Sequence, residues 1–257
     1  MPDPDADLSS CGQPSQLPDP QIVSLAESMA EPLANLLRSI TWRDGWLLRH
    51  EAAIAEVASH LQPMDIILVS SNHRLSGTIA NSYLTHAVLV LGSEDDLRDL
   101  GLWDDPLIQP LQPTIHAGAI LIEANGAAVG LSALETVLNA DGAVVLRPDQ
   151  VSAAEIRLAV RRAAAQFGQP FDFAFDAESQ DAVFSTELID RALPGVSLPR
   201  VALLGRATIV PDDVASAALD GESSLFLVTF IHADRNGWAI GSADLLRATI
   251  AANWPRL

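Results

Sequence analysis

Apolar residues along this chain follow two spacings, helical before Pro63 and strand-like after it. One helical face begins at Gln21, and a second helical stretch runs from about Trp46 to Leu61. Compact apolar runs follow, and they predict strands over residues 66–69, 87–91, 119–122 and 143–146. We therefore expect an N-terminal pair of helices followed by one antiparallel sheet.

The second half of the chain alternates helical and strand patterns. A helix is predicted over residues 152–167, with apolar side chains on one side, arginines on the other and Gly168 at its end. Further helices are predicted over 185–193, 212–219 and 242–252, with a strand over 225–231. No internal repeat interrupts this order. The pattern indicates an α+β fold in which an antiparallel sheet packs against helices.

The charge balance excludes several classes of function. The 257 residues carry 33 acidic side chains against 15 arginines and no lysine, a formal net charge of −18. Without lysine the chain can form neither a Schiff-base nucleophile nor the lysine contact of a phosphate-binding loop. Such an acidic surface repels nucleic acid and anionic membranes, so neither is an expected partner.

The N-terminus and the single cysteine limit location and metal chemistry. Residues 1–20 are rich in proline and aspartate, which predicts a disordered tail, and Cys11 lies within it. One cysteine permits neither an internal disulfide nor a cysteine-based zinc site. The histidines outside the motifs below also lack zinc-site spacing (His50, His60, His73, His116 and His232). We expect no metal or cofactor, and the acidic N-terminus predicts a cytoplasmic protein without membrane insertion.

Two polar residues lie within predicted strands. His86 is on an apolar strand face in YLTHAVLVLG (83–92), and Glu123 ends the strand of GAILIEANG. Taken singly, each has an ordinary explanation: a core histidine bonded to a backbone carbonyl, and a strand-end glutamate turned towards water. Together they would satisfy each other, because a buried carboxylate needs a partner and an imidazole supplies one.

A third motif joins these residues to a known pattern. GQPFDFAFD (168–176) leads into AVFSTELIDRAL (182–193), where a glycine-marked aromatic turn precedes a helix that opens at Ser185. This segment resembles the GKPYDF and CTEL or CSEL signatures of the permuted papain-like amidases of the NlpC/P60 superfamily, the YaeF/YiiX-like proteins, with Ser185 at the cysteine position. The likeness begins with Asp65, which matches a Gly-Asp pair although Met64 replaces the glycine, and ends with LLGRATIVPDDVASAAL (203–219).

The resemblance implies a circularly permuted papain-like fold with a barrel-like sheet, because histidine and glutamate here precede the nucleophile position. It implies Ser185 at that position, His86 as general acid/base and Glu123 as the group that orients His86. Supporting or substrate-binding residues are implied as well (Asp65, Tyr83, Phe171, Thr186 and Glu187). The catalytic domain would span 63–220, after a helical extension over 21–62 and before a C-terminal strand and helix over 221–257 that pack on the core.

The serine at position 185 leaves three explanations open. A hydroxyl is far harder to ionise than a thiol, so Ser185 needs base-assisted attack where cysteine would form a thiolate. It is an engineered replacement, a natural serine-dependent variant, or the mark of a binding protein without turnover; we favour the first because the surrounding motifs are intact. Without the family, Ser185 is simply a preferred helix N-cap. Cys11 has no helix N-terminus or fixed base near it in sequence and is not favoured as nucleophile.

The function that these motifs predict is cysteine-type hydrolysis of an amide or ester through an acyl-enzyme. An acyltransferase similar to lecithin:retinol acyltransferase and a non-catalytic binding or regulatory module are the alternatives, and the expected partner is a small-molecule or peptide acyl substrate. Two apolar segments could contact such a substrate, the insertion over 101–116 and the trio Phe171, Phe173 and Phe175. Packing in the core is the ordinary explanation for both.

Overall fold

The computed structural model describes residues 43–71, 82–203 and 206–253. The predicted tail over 1–20, the first helical face from Gln21 and the position of Cys11 lie outside these residues. Within the described part, no helix is both long and apolar enough to cross a membrane.

The long helices form where the apolar spacing predicts them. After a 3-10 turn (Leu47–Arg49) the helices are α1 (Glu51–His60), α2 (Glu94–Asp99), α3 (Gln112–His116), α4 (Leu134–Val137), α5 (Ala153–Ala164), α6 (Ser185–Ala192), α7 (Pro211–Asp220) and α8 (Ala243–Asn253), with a second 3-10 turn (Gln109–Leu111) before α3. The predicted stretch 46–61 corresponds to α1, and the four later predictions correspond to α5 to α8. The short helices α2, α3 and α4 have too few turns to produce a recognisable helical period.

In the described part of the chain, seven strands form one antiparallel sheet in the order β4-β3-β2-β1-β5-β8-β9. These strands are β1 (Ile66–Ser70), β2 (His86–Val90), β3 (Leu121–Ala124), β4 (Val129–Ser132), β5 (Gly142–Pro148), β8 (Leu225–Asp234) and β9 (Gly237–Ile240), while β6 (Val201–Leu203) and β7 (Arg206–Thr208) form a separate hairpin. The four strands predicted first are neighbours in this sheet, and the predicted strand 225–231 pairs with β5 as β8. The α+β class and the antiparallel sheet packed against helices are confirmed.

Both faces of the sheet are covered, which explains why its central strands read as continuous apolar runs. One face packs in a core that contains Leu68, Leu89 and Leu188 of α6, called here the α6 core. The other face packs in a core that contains Val88 and Val57 of α1, called here the α1 core. A side chain on β2 therefore belongs to one core or the other according to its position in the strand.

The proline-rich segment 101–116 is packed rather than open. Trp103, Ile108 and Leu111 are buried in the α6 core. Nε2 of Gln112 donates a hydrogen bond to the carbonyl of Trp103 at 2.8 Å, which closes the segment on itself. Of the two explanations for this insertion, core packing is the one that the structure supports.

Candidate active site

His86 and Glu123 meet across two neighbouring strands. His86 opens β2 and Glu123 lies in β3, and the register that pairs Leu89 with Ile122 puts the two side chains on a diagonal of one sheet face. Nε2 of His86 lies 2.5 Å from Oε2 of Glu123. The glutamate is buried, whereas the histidine side chain retains 25% of its exposure. The imidazole is therefore bonded to a buried carboxylate while part of its ring remains exposed to solvent.

Two further donors fix Glu123. The hydroxyl of Ser132 donates to Oε1, and Nδ2 of Asn125 donates to the same oxygen at 3.4 Å. Burial raises the pKa of Glu123, but the hydrogen bond and charge of His86 and the bonds from Ser132 and Asn125 outweigh it and lower the pKa to about 2. The carboxylate is ionised at neutral pH and can only accept hydrogen bonds. Nε2 of His86 therefore carries its proton, and Nδ1 of a neutral His86 is the free basic atom.

Ser185 is the first residue of α6 and does not cap it. Phe184 occupies the N-cap position with extended backbone angles, and its side chain has no oxygen that could accept a hydrogen bond from the helix start. The Ser185 hydroxyl has no hydrogen-bond partner among the described residues. The interpretation of Ser185 as an ordinary N-cap is therefore wrong, because its oxygen lies one position beyond the cap and satisfies none of the free N–H groups at the helix start.

Helix α6 packs against both strands that carry the His86–Glu123 pair, with Leu188 fully buried between them. His86 is paired with Val69, which belongs to the α1 core, so the register directs His86 to the face opposite α6. No hydrogen bond joins Ser185 to His86 among the described residues. The structure thus places His86 in contact with Glu123 and packs the helix of Ser185 against their strands.

Thr186 and Glu187, both buried, support the start of α6. The hydroxyl of Thr186 donates to the carbonyl of Ile209 at 2.7 Å. Oε1 of Glu187 lies 2.5 Å from Nη2 of Arg191, and Oε2 accepts from the backbone N–H of Phe184 at 3.4 Å. Burial raises the pKa of Glu187 to about 7, although Arg191 acts in the opposite direction.

The hydrogen bonds of Asp65 join parts of the fold. Its oxygens accept from Nε of Arg147 at 2.7 Å and from Nη2 at 2.8 Å, and the backbone N–H of Gln62 donates to Oδ2. Arg147 also donates to the carbonyl of His60, which ties the end of α1 to β5. Burial raises the pKa of Asp65 despite this arginine. None of these partners belongs to the His86–Glu123 pair, so the contacts of Asp65 are structural.

Tyr83 lies in a segment that Asp212 of α7 fixes just before β2. Oδ2 of Asp212 accepts from Oγ of Ser82 at 2.7 Å and from the backbone N–H of Tyr83 at 2.9 Å, and Oδ1 accepts from that of Leu84 at 2.7 Å. The Tyr83 ring is buried edge-on to Phe230, and burial together with nearby carboxylates raises the pKa of its hydroxyl above its usual range. Tyr83 is thus a core residue.

Residues 209–212 consequently support both halves of the candidate site. Asp212 holds the chain where it enters the strand of His86, and Ile209 accepts the hydrogen bond of Thr186 at the start of the Ser185 helix. We call this segment the 209–212 brace. It acts through backbone and buried side chains, so its residues position the site without lining it.

Phe171 belongs to an aromatic cluster that is not the face of a strand. Its ring contacts those of Phe173 and Phe175 edge-on, and Phe175 is 45% exposed. Within the described residues this segment makes two isolated bridges, Pro170 to Ala128 and Phe171 to Val183, and no continuous strand, so the two-residue period does not apply. The expectation that all three phenylalanines pack in the core is wrong for Phe175.

Three residues of this arrangement were not predicted from the sequence. Asn125 and Ser132 stand near Glu123 in IEANG and VGLS, but β4 is too short and glycine-containing to be recognised as a strand. Asp212 lies in the C-terminal pattern quoted above, yet nothing local indicates its distant partners. Within the described ranges, no group of three or more histidine, cysteine or acidic side chains is arranged to hold a metal ion.

Comparison with known proteins assigns this architecture to a family. The model of the permuted papain-like amidase enzymes, YaeF/YiiX, C92 family, matches residues 60–240. No curated protein matches the chain. Among solved structures, that of the metalloprotein yiiX from Escherichia coli O157:H7 (DUF1105) matches with 14% sequence identity and a TM-score of 0.46, covering 66% of this chain and 97% of that one.

Proposed function

The chain belongs to the permuted papain-like amidase family, and from this premise we propose that it is built to hydrolyse an amide or ester through an acyl-enzyme. Membership supports hydrolase activity in general. The finer proposal assigns the nucleophile position to Ser185, the general acid/base to His86 and the orienting carboxylate to Glu123. The substrate would be a small molecule or a peptide that carries an acyl group.

The His86–Glu123 pair carries this proposal. A buried, ionised carboxylate bonded to Nε2 fixes the imidazole in the tautomer whose Nδ1 can accept a proton. An ionised carboxylate at Nε2 would also stabilise the imidazolium that forms when Nδ1 takes a proton. The His86 side chain retains 25% of its exposure, so it is not sealed in the core.

The proposed reaction has two steps, formation of the acyl-enzyme and its hydrolysis. Nδ1 of His86 takes the proton of the nucleophile, whose sulfur or oxygen attacks the carbonyl carbon, and the imidazolium returns the proton to the departing amine or alcohol. Water, deprotonated by the same nitrogen, next attacks the acyl-enzyme and releases the acid. Free backbone N–H groups at the start of α6 are suited to stabilise the oxyanion in both steps. The helix start and His86 also favour a thiolate, which is the reason to expect cysteine at position 185.

The test of this proposal is the Ser185→Cys protein assayed with p-nitrophenyl acetate and acetyl p-nitroanilide. Hydrolysis should appear, and adding His86→Ala should reduce kcat/KM by about 10²-fold to 10⁴-fold. His60→Ala is the matched control, because His60 also pairs with a glutamate, Glu56 at 3.1 Å, but on the surface. Iodoacetamide should label Ser185→Cys faster than the double variant. Equal labelling, or no turnover of either substrate, would exclude an activated nucleophile at this position.

One observation favours the alternative of a binding module without turnover. Ser185 makes no hydrogen bond to His86 in the described structure, and serine lacks the acidity that would hold such a contact at rest. The codon at position 185 in the native gene separates the two. A cysteine codon supports an engineered replacement in an enzyme, whereas a serine codon together with an inert Ser185→Cys protein supports the binding module.

A further inference from the structure

The sequence contains two Asn-Gly pairs, and the structure describes both. Asn125–Gly126 follows β3, and Gly237 of the pair Asn236–Gly237 opens β9. Asparagine before glycine deamidates readily, because glycine has no side chain to hinder the approach of its backbone nitrogen to the asparagine side chain. Both asparagines are exposed, and Nδ2 donates to a carboxylate at a similar distance in each, 3.4 Å at Asn125 and 3.3 Å at Asn236. The two pairs differ in what holds the glycine.

The backbone N–H of Gly237 is bonded, whereas that of Gly126 is not. Oδ1 of Asp234 accepts from the N–H of Gly237 at 3.2 Å, and the two residues also pair across the β8–β9 hairpin. Gly126 instead lies in the loop between β3 and β4 with a φ of +89°, and its N–H donates no hydrogen bond within the described residues. The nitrogen of Gly126 therefore needs to break no hydrogen bond before it reacts.

We propose that Asn125 is a site of spontaneous deamidation. The backbone nitrogen of Gly126 loses its proton to solvent and attacks Cγ of Asn125. The bond from Cγ to Nδ2 then breaks, and Nδ2 takes a proton from water and leaves as ammonia. The succinimide ring that results adds one water molecule. Opening at one carbonyl gives aspartate, and opening at the other gives isoaspartate, in which the main chain runs through the former side-chain carbon.

Deamidation changes the surroundings of the carboxylate that contacts His86. Nδ2 of Asn125 donates to Oε1 of Glu123, the oxygen that also accepts from Ser132, and this bond is one of those that lower the pKa of Glu123 to about 2. Aspartate replaces the donor with a second negative charge, and isoaspartate also lengthens the loop that joins β3 to β4. Loss of a donor and gain of a like charge both oppose ionisation of Glu123 and raise its pKa. The modification therefore acts on the buried end of the His86–Glu123 pair, whatever reaction that pair performs.

The first test follows both Asn-Gly pairs in one sample of the full chain. The protein is incubated at mildly alkaline pH, and tryptic peptides that contain Asn125 or Asn236 are quantified by mass spectrometry over time. Asn125 should deamidate at least about tenfold faster, because the bond from Gly237 to the Asp234 carboxylate must break before the other pair reacts. In urea the two rates should converge, since neither glycine is then held. Equal rates in the folded protein overturn the proposal, as does a difference that persists in urea.

The second test measures the effect on Glu123 without requiring turnover. Asn125→Asp stands for the aspartate product, and its equilibrium constant of unfolding in urea should rise about tenfold at neutral pH, where both carboxylates are ionised. The rise should disappear as pH falls towards 2 and the carboxylates are protonated. Asn236→Asp is the matched control, because it adds the same charge beside the exposed Asp234, and it should have little effect. A rise that does not depend on pH, or that is equal in both variants, overturns the link to Glu123. Neither test uses a substrate, so failure of the proposed hydrolase function would leave both outcomes unchanged.

Discussion

Two buried glutamates, Glu123 beside His86 and Glu187 beside Ser185, respond to burial in opposite ways. Glu123 accepts hydrogen bonds from His86, Ser132 and Asn125, and its pKa falls to about 2. Glu187 has Arg191 and one long bond from a backbone N–H, and its pKa rises to about 7. Burial raises the pKa of both carboxyl groups. The donors of Glu123 outweigh it, whereas Arg191 and the backbone N–H do not at Glu187, where the charge of Asp172 adds to the rise.

The opposite pKa shifts of the two glutamates give the two regions different charge behaviour near neutral pH. The His86–Glu123 region keeps a fixed negative charge at every pH near neutrality, which suits a group that must hold one histidine tautomer. The start of α6 instead contains a carboxyl group that titrates near neutrality, two positions from Ser185. The carboxylate beside His86 thus keeps its charge near neutral pH, whereas the carboxyl group on the helix of Ser185 changes its charge there.

The largest expected effect comes from Glu123→Gln in the Ser185→Cys protein. A glutamine amide can donate to Nε2 and stabilise the wrong tautomer of His86, so kcat/KM should fall by at least about a hundredfold. Stability should change as well, because the low folded pKa contributes about 3 kcal/mol that is present above the unfolded pKa and lost as pH falls towards 2. Urea unfolding from pH 2 to pH 7 measures this dependence, which Glu123→Gln should remove.

The control for that variant is Glu94→Gln, since Glu94 also contacts a histidine, with 2.8 Å between Oε2 and Nδ1 of His116, but at the surface. It should change neither activity nor the acid dependence appreciably. Equal losses of activity in both variants would contradict the assignment of Glu123.

The second prediction concerns Glu187→Gln. A raised folded pKa stabilises the protein fully below the unfolded pKa of about 4.5, and about 3 kcal/mol of that contribution is lost as pH rises through 7. The variant should therefore flatten the decline in unfolding free energy between pH 4.5 and pH 7. Glu155→Gln is the matched control, because Glu155 holds the same third helical position in α5 but is exposed, with a pKa lowered by its bonds to Ser152. An unchanged decline in Glu187→Gln would show that another group causes it.

A smaller effect is expected from Asp212→Asn, which acts on the brace. Asparagine keeps one acceptor oxygen and turns an N–H₂ group towards donors, so the free energy of unfolding should fall by about 2–3 kcal/mol. In the Ser185→Cys protein, kcat should also fall, since the entry into β2 is loosened. Asp213→Asn provides the comparison: burial and the charge of Asp212 raise the pKa of Asp213, and one of its buried oxygens is unpaired among the described residues, so losing its charge should not destabilise.

The smallest effect is expected from Thr186→Val. Losing the bond to Ile209 leaves a carbonyl without its donor, at a cost of about 1–2 kcal/mol in urea unfolding. Thr249→Val should cost less, since Thr249 makes a similar bond to the carbonyl of Leu245 on the exposed face of α8. If Thr249→Val proved the more damaging change, Thr186 would not be a support of α6.

The sequence predicted those parts of the molecule whose pattern is local. Long amphipathic helices and continuous apolar strands were found, and the motifs around His86, Glu123 and Ser185 led to the family. Asp212 escaped prediction because its partners are distant in the chain, and Ser132 because its strand is too short to show a period. The prediction for Phe175 was wrong because alternation indicates a strand face only where a strand forms. This segment is instead a loop, in which the carboxylate of Asp172 accepts hydrogen bonds from the backbone.

The 209–212 brace gives the permuted chain an order of assembly. During synthesis the N-terminal parts of a chain emerge first, so the strand of His86 and the helix of Ser185 both leave the ribosome before Asp212. Until that residue emerges, the segment before β2 lacks three hydrogen bonds to its carboxylate, and the start of α6 lacks the acceptor at Ile209. Because the brace lies C-terminal to both elements, these contacts can form only after residue 212 has left the ribosome.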